Sequence, residues 1–132
     1  MIHKKSMTLA LFALSLTGCQ PTPPSYVPKA NALLEKQITA IAGERAMCQF
    51  TYKSGFWFSA CTSRAPHASP LFALFEPEGV MQASDNLAIF VTPVNNDARY
   101  FTRQSEFTIP ATTRKIPVNA DEVINSLMPI PR

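Results

Sequence analysis

Apolar residues recur with helical spacing along residues 29–47. Leu34, Ile38 and Ile41 share one face of a helix with 3.6 residues per turn, and most of the charged residues lie elsewhere. This pattern predicts an amphipathic helix that packs on a core, and Gly43 is expected to end its last turn. A helix lying on a membrane surface would need more basic residues beside the apolar stripe.

Two alternating runs, residues 48–52 and 56–62, follow this helix and flank a Ser-Gly dipeptide at 54–55. Such a dipeptide suits a two-residue hairpin turn. Around that turn, the numbers of opposite residues add up to 109, which places Cys48 opposite Cys61. Counting outward from the turn makes this a non-hydrogen-bonded pair, where strands approach closely enough for a disulfide.

Alternation divides the hairpin into two faces. We expect the first face to be core, and the second is the more informative because Phe56 and Phe58 lie on it beside the turn. They are expected to lie beneath the helix or to form an exposed aromatic patch, a candidate partner-binding surface. The first face carries Cys48, Phe50, Tyr52, Trp57, Ser59 and Cys61, and the second carries Gln49, Thr51, Phe56, Phe58 and Ala60.

The remaining chain predicts more strands and one short helix. Residues 71–75 and 86–92 are rich in Leu, Ile, Val and Phe and predict strands, residues 98–103 an antiparallel return strand, and residues 115–118 an edge strand. Asn119 has the character of a helix N-cap. The predicted class is α+β, with an N-terminal amphipathic helix packed on a small, mainly antiparallel sheet, a disulfide-stapled hairpin and a short C-terminal helix that ends before Pro129.

An export signal precedes these elements. Basic residues at 3–5 are followed by an apolar run over residues 7–16, which is about half the length that a membrane span needs. Leu16, the last residue of this run, is followed by Thr17, Gly18 and Cys19. This sequence resembles the lipobox of bacterial lipoproteins.

The resemblance implies that the signal is removed before Cys19 and that this cysteine is lipidated. Gln20 stands where an aspartate would retain some lipoproteins on the inner membrane, so the resemblance also implies the outer membrane, with the domain in the periplasm. We therefore expect a signal peptide at residues 1–18, lipidated Cys19 and a proline-rich tether at 19–28, and a single small domain at 29–132. Because proline disfavours a helix, the tether is expected to be extended, about 28 Å over nine residues.

Charge narrows the function classes. Removal of the signal would leave 114 of the 132 residues, and 10 of the 12 basic side chains against 9 acidic ones. No basic cluster remains in the mature part, so a nucleic-acid partner is not expected.

With Cys19 lipidated, an oxidising periplasm would pair Cys48 with Cys61 as a structural staple, in preference to a redox or metal-binding pair. His67 is the single mature histidine, and a zinc site is not expected.

Three functions are compatible with the sequence. The first is a non-enzymatic accessory of an envelope assembly, of the secretion or conjugation type, that binds an envelope protein and uses no cofactor, metal or small-molecule substrate. The second is a tethered inhibitor or exclusion factor, which blocks a foreign hydrolase or an incoming element with the loop at residues 64–70.

A hydrolase is the third. His67 and Ser69 lie close in sequence within the 64–70 loop, but sequence proximity does not make a nucleophile and its base meet in space, and a solvated loop histidine is the simpler interpretation. Acidic residues offer paired carboxylates instead, although a glycosidase-type cleft is rare in so small a domain. These are Glu76, Glu78, Asp85 and Asp97. No catalytic residue is assigned, and we expect a protein that is not an enzyme.

Overall fold

The predicted hairpin forms the first edge of the sheet. In a computed structural model of the chain, which describes residues 20–76 and 89–127, β1 (Met47–Lys53) pairs antiparallel with β2 (Phe56–Thr62). The register places Cys48 opposite Cys61, and the two cysteines form a disulfide with their Cα atoms 3.9 Å apart. The hairpin register and the disulfide are both confirmed.

The turn itself explains why the register is so well defined. Ser54 and Gly55 have φ values of 55° and 87°. Left-handed values at both central residues give a turn whose twist matches that of the two strands, and glycine adopts such values without steric cost. The turn chemistry therefore fixes the pairing that brings the cysteines together.

Two further strands complete an antiparallel sheet of order β1-β2-β3-β4. β3 (Leu71–Phe75) has the predicted bounds. β4 (Phe90–Pro93) ends one residue later than predicted, and residues 86–88 of the predicted strand lie outside the described residues. The class is α+β, with one helix before the sheet and short helices after it.

One face of the sheet is covered by α1 (Tyr26–Ala42). Its fully buried side chains, Leu34 and Ile38 among them, pack in one cluster with Trp57 and with the disulfide. Gly43 ends the helix as expected: its φ is 77°, and its N–H donates to the carbonyl of Thr39 at 3.0 Å.

The expected extended tether is wrong at both ends. α1 begins at Tyr26, and Pro28 lies in its first turn. Proline is tolerated there because the first four N–H groups of a helix have no partner within the helix. At the other end, the Gln20 side chain donates to Thr51 Oγ1 at 2.9 Å and accepts from Tyr52 N at 3.4 Å. Residues 20–28 therefore do not form a 28 Å spacer.

The C-terminal part of the chain covers the opposite face of the sheet. Ile116 and Val123 are buried there in a cluster with Phe58. Val123 belongs to α3 (Ala120–Asn125), whose N-cap Asn119 accepts from Glu122 N at 3.2 Å. The short C-terminal helix and its cap are confirmed, whereas Pro129 lies outside the described residues.

Two predicted strands are wrong. Residues 98–103 belong mostly to a helix, α2 (Asn96–Thr102), in which Ala98 and Phe101 are buried at a spacing of three and Asn95 is the N-cap. Residues 115–118 form no strand, and the nearby partner of β4 is an isolated parallel bridge between Val91 and Ala111.

Candidate functional site

The loop at residues 63–70 is held in one conformation by the start of α2. Asn95 Oδ1 accepts from Leu71 N at 3.1 Å and from Ala98 N at 3.0 Å, and its Nδ2 donates to the carbonyl of Ser69 at 2.9 Å. Asp97 Oδ2 accepts from Ser69 N at 3.0 Å. One asparagine thus caps the helix and binds the loop at the same time.

The loop also has internal contacts. Ser63 N donates to the carbonyl of Ala68 at 3.1 Å, and Cys61 N donates to the carbonyl of Pro70 at 3.0 Å. Ala65 and Pro70 of the loop are buried. Together with the bonds from α2, these contacts order a segment whose two prolines already restrict it.

His67 is displayed at the outer side of this loop. Its ring stacks on that of Tyr100, with 3.9 Å between the centroids and 10° between the planes, and its Nδ1 lies 3.4 Å from Asp97 Oδ1. The backbone of His67 has a φ of 63°, a value that costs energy for a residue other than glycine but is more frequent in histidine than in most. The ring stack and the loop contacts hold the residue in this conformation.

Exposed basic residues lie in the same loop and helix as this stack, and the Asp97 carboxylate also contacts His67. Tyr100 is 36 % exposed, one of two large apolar side chains that the described residues leave in water, and the other is Met47 at 56 %. Arg64 in the loop and Arg99 and Arg103 on or beside α2 are also exposed. We call Arg64, His67, Arg99, Tyr100 and Arg103 the loop surface.

Three of the residues that suggested a hydrolase lie together. His67 Nδ1 and the backbone N–H of Ser69 both approach the Asp97 carboxylate, and these contacts order the loop. Glu76 follows β3, whereas Asp97 contacts Ser69 before β3, so the two residues lie toward opposite ends of this strand. Glu78 and Asp85 lie outside the described residues.

The aromatic pair of the hairpin is not an exposed patch. Phe58 is 0 % exposed, and Phe56 is half-buried with its ring centroid 6.1 Å from that of Phe58. The covering element is the C-terminal segment with Ile116 and Val123, and not the N-terminal helix as expected, because α1 occupies the other face. Of the two alternatives, the structure therefore shows cover by another element and not an exposed patch at Phe56 and Phe58.

Sequence reasoning pointed to the 64–70 loop but missed Tyr100, because residues 98–103 were expected to be a strand. The available signal was Asn95 followed by Asp97, an N-cap with an acidic residue in the first turn. Cys19 lies outside the described residues. Within residues 20–76 and 89–127, no three or more His, Cys, Asp or Glu side chains are grouped so that they could hold a metal ion.

Comparison with known protein families, with characterised proteins and with solved structures finds no match to this chain. Over the described part of the chain, no helix is both long and apolar enough to cross a membrane.

Proposed function

We propose that this protein is a non-enzymatic lipoprotein of the outer membrane that binds another envelope protein, as an accessory of a secretion-type or conjugation-type assembly. The ordered loop surface is the observation that supports binding. A recognition surface gains affinity when it is ordered before the partner arrives, because less conformational entropy is then lost on association.

The chemistry of the loop surface indicates the kind of partner. Tyr and Arg are among the residue types that contribute most often to binding energy at protein interfaces, and exposed Arg99 and Arg103 lie one position before and three positions after Tyr100. Three arginines favour a partner with an acidic patch, and charge complementarity would speed its encounter.

Photocrosslinking in the native envelope tests this function. A photoreactive amino acid at Arg64 should give one dominant protein adduct, and Tyr100→Ala should remove that adduct. Met47→Ala is the matched control, because Met47 is the other exposed large apolar side chain and lies at the start of β1. Loss of the adduct in both variants, or in neither, would contradict a docking role for the loop surface.

Lipidation is tested separately. Incorporation of labelled palmitate into the wild type, and its loss in Cys19→Ser, is the expected result. A wild type that takes up no label would refute the proposed anchor and with it the proposed location.

A tethered inhibitor is the second candidate, and the same ordered loop favours it, since inhibitor complexes change little on binding. The two functions differ in the captured protein. An inhibitor would capture a hydrolase and abolish its activity at a one-to-one ratio, whereas an assembly accessory would not.

A further inference from the structure

A row of side chains crosses the sheet at the end where the β1-β2 hairpin turns. Phe56 of β2, Phe75 of β3 and Phe90 of β4 lie on one face in three neighbouring strands, and we call them the aromatic row. The ring centroids of Phe56 and Phe75 are 6.2 Å apart, and those of Phe75 and Phe90 are 5.3 Å apart. All three residues are half-buried, so part of each remains accessible to solvent.

Basic residues lie next to two members of the aromatic row. The guanidinium carbon of Arg114 lies 4.4 Å from the ring centroid of Phe75, and Lys53 is paired with Phe56 in the β1-β2 register. Arg114 and its neighbour Lys115 are exposed. Glu76 follows Phe75 and interacts with Tyr26, which packs against the cluster on the opposite face of the sheet, while Glu78 and Asp85 lie outside the described residues.

The start of the described chain is fixed at the same end of the sheet. The Gln20 side chain binds Thr51 and the backbone of Tyr52, at the outer edge of β1. Thr51 lies opposite Phe58, whose ring contacts Phe56. In the sequence, Cys19 directly precedes Gln20.

We propose that the aromatic row and its cations contact the surface of a phospholipid bilayer with anionic headgroups. This inference rests on the proposed lipid anchor, because acyl chains on Cys19 would enter the bilayer beside this end of the domain. Aromatic rings and basic side chains are the combination that binds the boundary between headgroups and acyl chains. Each cation near an anionic surface strengthens binding by about fivefold.

The geometry then gives the domain an orientation. β3 runs from the bonds with Asn95 at one end to the aromatic row at the other, and the loop surface lies at the Asn95 end. A bilayer at the aromatic row therefore leaves the loop surface facing away from the lipid, where a protein partner has access to it.

Photocrosslinking to lipid tests this orientation. The full-length acylated protein is reconstituted in vesicles of phosphatidylethanolamine and phosphatidylglycerol at three to one, with a photoreactive amino acid at Phe90, at Lys53 or at Tyr100. We expect lipid adducts at Phe90 and Lys53 and at least tenfold fewer at Tyr100. Formation of the Cys48–Cys61 disulfide reports whether each variant folds. If the Phe90 variant does not fold, the lipid adducts at Lys53 are compared with those at Tyr100.

A charge test follows in the same vesicles. The double change Arg114→Gln, Lys115→Gln should lower lipid adducts at position 53 severalfold, because it removes the cation that contacts Phe75 and the exposed cation next to it in sequence. Arg99→Gln, Arg103→Gln is the matched control, which removes two exposed arginines at the other end and should leave the adducts unchanged.

The outcomes separate this inference from the proposed function. Equal labelling at positions 53 and 100, or stronger labelling at 100, in a protein that carries the acyl chains would overturn the orientation and leave the lipid anchor intact. A protein without acyl chains would refute the anchor and this inference together.

Discussion

Asn95 is the residue whose replacement tests most directly how the loop surface is ordered. Its side chain makes three hydrogen bonds, to the backbone of Ala98 in α2 and to Ser69 and Leu71 on the loop side. Asn95→Ala removes all three at once. Asn119→Ala is a matched control, because Asn119 also caps a short helix but has one such bond, from Glu122 N.

The expected loss can be worked out from these contacts. A lost N-cap costs about 1 kcal/mol, and this applies to both variants. In Asn95→Ala the N–H of Leu71, a residue that is 0 % exposed, also loses its acceptor, and a buried donor without a partner costs about 1–3 kcal/mol. We therefore expect Asn95→Ala to lower the free energy of unfolding by about 2–4 kcal/mol and Asn119→Ala by about 1 kcal/mol.

Urea denaturation followed by Trp57 fluorescence measures both values. With a slope of about 1.5 kcal/mol per molar urea, the midpoint of Asn95→Ala should fall by about 1.3–2.7 M. Asn95→Asp should lie between that variant and the wild type, because a carboxylate keeps both acceptor bonds but cannot donate to the Ser69 carbonyl. Amide exchange at Leu71 should become faster in Asn95→Ala alone.

Equal losses in Asn95→Ala and Asn119→Ala would refute the reasoning. Such a result would mean that Asn95 acts only as a helix cap and that the 63–70 loop owes its order to other contacts.

Three further predictions concern the core. Replacing Cys48 and Cys61 together by alanine should lower the free energy of unfolding by about 3 kcal/mol, since the disulfide closes a short loop; an unchanged urea midpoint would contradict this. Phe58→Ala should cost about 3–5 kcal/mol, and Phe56→Ala clearly less because Phe56 is half-buried; thermal melts that rank them the other way would refute the assigned burial. Burial, and to a lesser degree Glu76, raises the pKa of Tyr26 above its usual 10.0, so stability should fall as pH rises above 10, and Tyr26→Phe should lose less over that range; parallel pH profiles for the two proteins would argue against it.

The sequence by itself determined the features that depend on neighbouring residues. The turn at Ser54 and Gly55 fixes the hairpin register, and the register alone brings Cys48 to Cys61. Gly43 ends α1 and Asn119 begins α3 for similarly local reasons, because each satisfies backbone groups within a turn of its own position.

Other features were decided by tertiary packing. Residues 98–103 alternate like a strand, yet Ala98 and Phe101 are buried together on a helix, since a run this short fits both periods and the core selects one of them. Alternation likewise places Phe56 and Phe58 on one face of the hairpin, but what covers that face depends on Ile116 and Val123, about sixty residues later in the chain.

The candidate site shows the same division. The prolines and polar residues at 63–70 predict a loop, but its order comes from Asn95 and Asp97, and its exposed surface from the stack of His67 on Tyr100. These partners are separated by about thirty residues of chain, and only the antiparallel return through β3 and β4 brings them together. Local sequence determines turns and helix caps because their energies depend on neighbouring residues. Burial and recognition surfaces depend on contacts between distant parts of the chain.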